Sequence, residues 1–301
     1  MDYRQLELFL AAAERLNLSQ AAEAMNISQP GLSKSMDRLQ SELGARLYQR
    51  DGRGIALTQA GRALHRHVSL IEAQMREARA EVIGIARGSI GHARIGAGPS
   101  WLSRHLPESI AAIMANHPSV QFTVETGFPD KLIGRLRDGA LDAVVGALPE
   151  NRVDPDLRFM RLTDDVNRVI GRAGHPLLQR AERSLADYAA QRWVLPGPRE
   201  MVRLRLNMAL VKAGFAEPVP ALETDSLSLI LATLRLTDCI ALTTTQLLIQ
   251  GEAEGIVAID HEALRFARDA GVITRRHAVP SPSVKLLIGE LRKITARQDR
   301  N

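Results

Sequence analysis

The sequence predicts an α/β chain in three parts: a small helical region, a long linker helix and a larger α/β region. Three observations carry this. The first forty residues place apolar side chains at helical spacing in three short runs. From Leu64 to Ile85 the apolar positions follow one another at intervals of 4, 3, 4, 3, 4 and 3. After residue 88 short β-rich runs alternate with helical ones, the pattern of a mostly parallel sheet with crossover helices.

Composition bounds the rest. With 301 residues, 45% hydrophobic and 24% charged, the chain suits about two ordinary globular domains. Its net charge of +5 permits a polyanionic partner without requiring one. One cysteine excludes an internal disulfide framework or a multi-cysteine zinc site, and fits a reducing cytoplasm. The N-terminus, "MDYRQLELFLAAAERL", carries acids and reads as no signal peptide. No apolar run approaches the roughly 20 residues of a membrane span.

In the first helix Leu6, Phe9, Leu10 and Ala13 share a stripe, and the helix is expected to end near Asn17. Ser19 is expected to cap a short second helix, "QAAEAMN", and Asn26-Ile27 to turn the chain. Ser28 caps a third helix whose buried stripe is Leu32, Met36 and Leu39. Pro30 falls in its first turn, where a missing N–H costs nothing, so the proline begins the helix. Two helices joined by a tight turn, the second with a small polar N-terminal end, form the helix-turn-helix plan, in which that end faces base edges in a major groove. Gln29 and Ser33 suit base edges; Lys34 and Arg38 suit phosphate or guanine.

"ARLYQRDGRGIALT" reads as a hairpin turning at Asp51-Gly52, a wing beside the recognition helix. Between Arg46 and Arg66 stand five arginines (46, 50, 53, 62 and 66) against one acid, Asp51. Arg53 at the wing tip, with Arg50 beside it, suits a minor groove or its phosphates. Thr58 caps the linker helix, expected to end at Arg87-Gly88-Ser89. Leu64, Val68, Ile71, Met75, Ala78, Val82 and Ile85 repeat at a mean of 3.5 residues over three heptads, the seam of a coiled coil and a dimerisation arm.

The first ninety residues resemble the LysR-type transcriptional regulators. The likeness runs along "LELFLAAAERLNLSQAAEAMNISQPGLSKSMDRLQSELGARLYQRDGRGIALTQAG", with two departures: Gln40, where the family usually has glutamate, and Tyr48, where it usually has phenylalanine. The resemblance implies base contacts from Gln29, Pro30, Ser33 and Lys34, backbone support from Arg38 and a wing contact from Arg53. The DNA-binding set is then Ser28, Gln29, Pro30, Ser33, Lys34, Arg38, Arg50 and Arg53. It also implies dimers through the linker helix, commonly paired into tetramers, on imperfect inverted repeats at promoters, where RNA polymerase is a further contact.

The larger region begins with the strand "HARIGAG", a helix from about Trp101 to Asn116, "SVQFTVET", the helix "PDKLIGRLRDG" and the strand "LDAVVGAL". A second set follows from about Asp164, and "GVITRR" with a last helix returns to the first. This resembles the family's two-lobed effector domain, similar in fold to periplasmic solute-binding proteins, through the phrases "HPSVQFTVETG", "LRDGALDAVVG" and "LVKAGFAEP". The expected domains are residues 1–58 (winged helix-turn-helix), 59–88 (linker) and 89–301 (effector-binding). Lobe I comprises 89–163 and 268–301, and lobe II 164–267.

A cleft between such lobes binds its ligand where strand ends meet helix starts. "GAGPSW" puts Ser100 at such a junction, where its hydroxyl and nearby N–H groups favour a carboxylate or another oxygen-rich group; a plain N-cap serves Ser100 equally. Thr126, Gly127, Pro196, Gly197, Thr224 with Asp225, and Thr243 follow other strands and are expected around the same cleft. Trp101 suits either a stacking contact or the core. The resemblance favours Ser100 and Thr126 as holders of an inducer's acid group.

Nothing points to catalysis. No GxGxxG, Walker loop, nucleophile elbow or metal cluster is present, and His65 and His67, two apart on a helix, cannot share a metal. Cys239 reads as a buried small residue; without a second cysteine an internal disulfide switch is excluded. The expected protein is a cytoplasmic, inducer-controlled DNA-binding regulator with no cofactor. A transport module would have no use for the wing, and an enzyme would need a nucleophile–base pair.

Overall fold

The computed structural model describes residues 1–52, 54–87, 91–103, 105–127, 129–244, 254–259 and 261–298. The chain divides into two compact units, the first built from residues 1–88 with 137–140 and the second from the remainder.

In the first unit α1 (Tyr3–Arg15), α2 (Leu18–Ala24) and α3 (Gln29–Leu43) enclose a core of Phe9, Leu32, Met36 and Leu39. Asn17, not Ser19, caps α2: its Oδ1 accepts from the N–H groups of Ser19 and Gln20 at 3.0 and 3.1 Å. The asparagine stands one residue before the helix, where an acceptor reaches the second and third N–H groups. Ser28 Oγ accepts from Gly31 N at 3.3 Å, and Pro30 sits in the first turn of α3 as the sequence predicts. Gln40 Oε1 accepts the Leu47 N–H at 2.9 Å and fixes the chain as it leaves the helix. Strands β1 (Tyr48–Asp51) and β2 (Gly54–Leu57) pair antiparallel into the wing. Thr58 Oγ1 accepts from Gly61 N at 3.0 Å at the start of α4 (Gln59–Arg87). A Cβ on Gly61 would lie 1.8 Å from Leu47 O, so only glycine lets the linker helix pass this close. The expected linker end at Gly88-Ser89 lies outside the described residues.

The second unit is built on one nine-stranded mixed sheet. One half holds β3 (His92–Ala97), β4 (Gln121–Thr126) and β5 (Ala143–Ala147), all parallel. The other holds β7 (Trp193–Leu195), β8 (Pro220–Glu223) and β9 (Ile240–Thr244), parallel again, with the short β10 (Ile256–Ala258). Two long antiparallel strands join the halves, β6 (Leu157–Arg172) and β11 (Phe266–Arg275). The expected lobe limits at 163/164 and 267/268 thus fall inside continuous strands. Lobe I packs α6 (His105–Asn116) and α11 (Pro282–Gln298) on one face and α7 (Pro129–Arg137) on the other. Lobe II does the same with α8 (Leu185–Ala189) and α9 (Met201–Lys212) against α10 (Leu227–Leu236). The single helix expected from Trp101 to Asn116 is two, α5 (Pro99–Leu102) and α6. Pro107 lacks the N–H that would bond the Ser103 carbonyl, so one helix cannot run through.

Candidate DNA-binding surface and effector cleft

Burying Leu32, Met36 and Leu39 turns the opposite face of α3 to solvent. Ser28, Gln29, Pro30, Lys34 and Arg38 are exposed, and Ser33 is half-buried. Arg38 pairs with Glu42 one turn on, Nε to Oε1 3.0 Å, while its side chain remains 72% exposed. An exposed pair of this kind is worth little, so the guanidinium is free to exchange its partner for a phosphate. Arg50 lies exposed on β1; Arg53 lies outside the described residues. Burial raises the Tyr48 hydroxyl above its usual range, with Asp37 adding to the effect, so Tyr48 stays neutral at the base of the wing.

The linker seam divides in two. Val68 is buried in the core of the N-terminal domain and Leu64 packs against it. Ile71, Met75 and Val82 are 42%, 39% and 67% exposed, and Ala78 is exposed with them. The side chain of Ile85 lies outside the described residues.

A cavity of about 80 Å³ opens where the two lobes meet the joining strands. Lobe I contributes Gly98, Pro99 and Ser100 at the end of β3; lobe II contributes Pro196, Thr243 and Thr244; β6 and β11 contribute Asn167 and Arg268. A second cavity of about 110 Å³ shares Asn167 and Arg268 and extends to Arg199 and Arg205 at α9.

The polar wall comes from strand alternation. Along the buried face of β6, Thr163, Asp165 and Asn167 interrupt an otherwise apolar row before Val169. Direct cross-strand partners share a face, and here Asp165 opposes Arg268 while Asn167 opposes Thr244. Asp165 Oδ2 accepts from Arg268 Nε at 3.1 Å and Nη2 at 2.7 Å. Among the described residues two buried atoms here have no hydrogen-bond partner, Asp165 Oδ1 and Thr244 Oγ1. Thr244 lines the cavity, so its hydroxyl is placed to meet a ligand there. On the opposite face of β6, burial lowers Arg168 from the usual arginine range, and Arg265 lowers it further.

Of the sequence-predicted ligand residues, Ser100, Pro196 and Thr243 line the cavity, with Asp225. Trp101 does not: it is fully buried in the lobe I core, its ring 4.9 Å from that of His105, so the stacking alternative gives way to the core one. Thr126, Gly127, Gly197 and Thr224 are not among the lining residues; Thr126 is exposed at the end of edge strand β4. Sequence reasoning misses Asn167, Thr244 and Arg268. Polar residues at alternate positions of "TDDVNRV", between strong strands, are the signal that marks them. Among the described residues no group of three or more His, Cys, Asp or Glu side chains is placed to hold a metal, and no helix is long and apolar enough to cross a membrane.

A winged helix-turn-helix on a long helix, joined to a two-lobed α/β domain with a polar cavity, defines a DNA-binding regulator with an effector domain. Residues 3–62 match the bacterial regulatory helix-turn-helix model of the lysR family, and residues 86–296 the LysR substrate binding domain model. The chain belongs to the LysR family of transcriptional regulators, which are not enzymes.

Among curated relatives, the regulator PcaQ of Agrobacterium fabrum is 30% identical over 97% of this chain and 94% of its own length. A transcriptional activation protein for SDS degradation from a Pseudomonas species is 37% identical over 63% of this chain and 62% of its own. Among solved structures, full-length CbnR with its target DNA aligns with a TM-score of 0.66 at 20% identity, covering 97% of this chain and 99% of that one. A full-length variant of OxyR from Pseudomonas aeruginosa gives 0.66 at 20% identity over 97% and 95%. The family fixes DNA binding and a small-molecule effector as this protein's two partners.

Proposed function

We propose that this regulator reads an imperfect inverted repeat at a promoter as a dimer joined along α4, with two dimers forming a tetramer. Gln29 and Ser33 read base edges. Pro30 lies against the bases, Ser28, Lys34 and Arg38 hold the entry of α3 to the backbone, and Arg50 and Arg53 grip flanking phosphates. The exposed Ile71, Met75, Ala78 and Val82 form the self-contact, Leu64 and Val68 anchoring the helix that carries them. A cytoplasmic small molecule bearing an acid group enters the cleft against Ser100, Thr243, Thr244, Asn167 and Arg268. Its binding shifts lobe closure or subunit packing, alters the spacing of the two α3 helices and so the bend of the promoter, and changes access for RNA polymerase.

The observation that carries the ligand half of this reading is the unmet Thr244 hydroxyl in a cavity that also presents Arg268. Footprinting the full-length protein on the DNA upstream of its own gene, at two salt concentrations, tests the DNA half. A protected inverted repeat that resists competition by random DNA is the expected result. Protection that is sequence-blind and vanishes with salt would overturn it.

A further inference from the structure

Resting on the reading of the cleft as the effector site, we infer that the effector is an amino acid or similar amine-bearing acid, its ammonium group meeting Asp225. The charges of the first cavity lead there. Among the described residues, Asp225 and Arg268 are its two charged lining residues. Arg268 is already neutralised by Asp165, whose side chain is 1% exposed. Asp225 forms no ion pair among the described residues. Among the described residues the lining therefore holds one carboxylate without a counter-charge, that of Asp225.

Asp225 is not spent on the helix it precedes. At the start of α10, Ser226 Oγ accepts from Leu229 N at 3.3 Å and Thr224 Oγ1 from Ser226 N at 3.1 Å. Those two hydroxyls cap this end without the aspartate. Asp225 is exposed at the cavity; a plain carboxylate would approach it as a like charge and leave it without a partner. A zwitterion brings its own counter-charge: the acid faces Arg268 and Ser100, and the ammonium faces Asp225. The adjoining cavity is lined by Glu150 and Glu200 against Arg199 and Arg205. With Arg268 paired to Asp165, the charges of that wall balance among the described residues, so it asks for no charge on the amino acid's side chain.

The test is calorimetry, backed by ligand-observed NMR, on the full-length protein. Its probes are the common amino acids, each beside its desamino acid and its 2-hydroxy acid. At least one amino acid should bind about tenfold or more tighter than both counterparts, the discrimination of a charge-assisted hydrogen bond. Asp225→Asn should erase that preference and Asp225→Glu should retain it. Were Asp225 only a helix-end charge, both substitutions would leave the ranking of probes unchanged, and the inference would be wrong. Desamino or 2-hydroxy acids that bind as tightly as the amino acids would also overturn it, leaving the effector site standing. Binding of no probe would overturn the inference and leave the effector site to its own test.

Discussion

Asp165 and Arg268 face each other across β6 and β11 through one oxygen only: Nε and Nη2 converge on Oδ2, and Oδ1 is buried without a partner among the described residues. Removing either member strands a largely buried charge. Asp165→Ala and Arg268→Ala should each lower unfolding stability by about 3 kcal/mol. The double variant should lose clearly less than the sum, because neither charge is left uncompensated. Urea unfolding of the full-length protein reads all three, and strictly additive losses would show that the two side chains do not act as a pair.

One residue along β11, Asp269 lies on the other face and pairs with Arg152 and Arg161, the latter Nε to Oδ1 at 3.0 Å. The bond from Arg152, then that from Arg161, holds its carboxyl below the usual aspartate range. A carboxyl depressed in the folded state adds stability that is complete above its unfolded value, about pH 4, and is lost as pH falls through the lower folded value. Asp269→Asn should therefore flatten the acid limb of the stability profile and leave its slope near neutral pH unchanged. An unaltered acid limb would remove this cluster from the acid response.

Gln29 and Lys34 share the exposed face of α3 but should fail differently. Gln29→Ala should cost about 1–3 kcal/mol on the operator and relax sequence preference at one base pair. Lys34→Ala should weaken operator and random DNA alike and lower the salt slope by about 1. Fluorescence titrations on both DNAs across a salt series separate the two. Equal losses on operator and random DNA for Gln29→Ala would take it out of the base-reading set.

Along α4 the burial pattern separates folding from assembly. Val68 is 3% exposed and Met75 39%. Met75→Glu should leave the unfolding transition within about 0.5 kcal/mol, as surface changes do, yet weaken self-association in sedimentation experiments. Val68→Ala should destabilise the N-terminal domain without removing a self-contact. A Met75→Glu protein that sediments like the parent would move the interface elsewhere.

The recognition helix is legible in the sequence because its signals are local: a serine cap, a proline in the first turn and a stripe at 32, 36 and 39 all act within one element. The cleft is harder to read. Its wall is assembled from β6, β9 and β11, and Asn167 meets Thr244 only once strands far apart in sequence are in register. The second αβ set expected from about Asp164 instead begins inside β6, because pairing with β11 carries the strand through that residue. Thr126 follows a strand as the rule for such clefts asks, but that strand lies at the sheet edge, away from the joining strands.

Thr244 gives the sharpest separation of stability from response. The residue is 4% exposed and lines the cavity, and its Oγ1 has no partner among the described residues. Valine has nearly the same shape and lacks the hydroxyl, so Thr244→Val removes an unmet polar atom without opening a hole. The ligand-free protein should gain about 1 kcal/mol, the penalty it no longer carries. The same change should weaken the effector's shift of the DNA footprint, since the hydroxyl left idle by the fold is the one a ligand would use. Greater stability with a blunted response is the expected pair of results, the trade common where a binding site is kept at the fold's expense. A less stable Thr244→Val protein would mean the hydroxyl already serves the fold, and an undiminished effector response would place the ligand's contacts on other residues of the cleft.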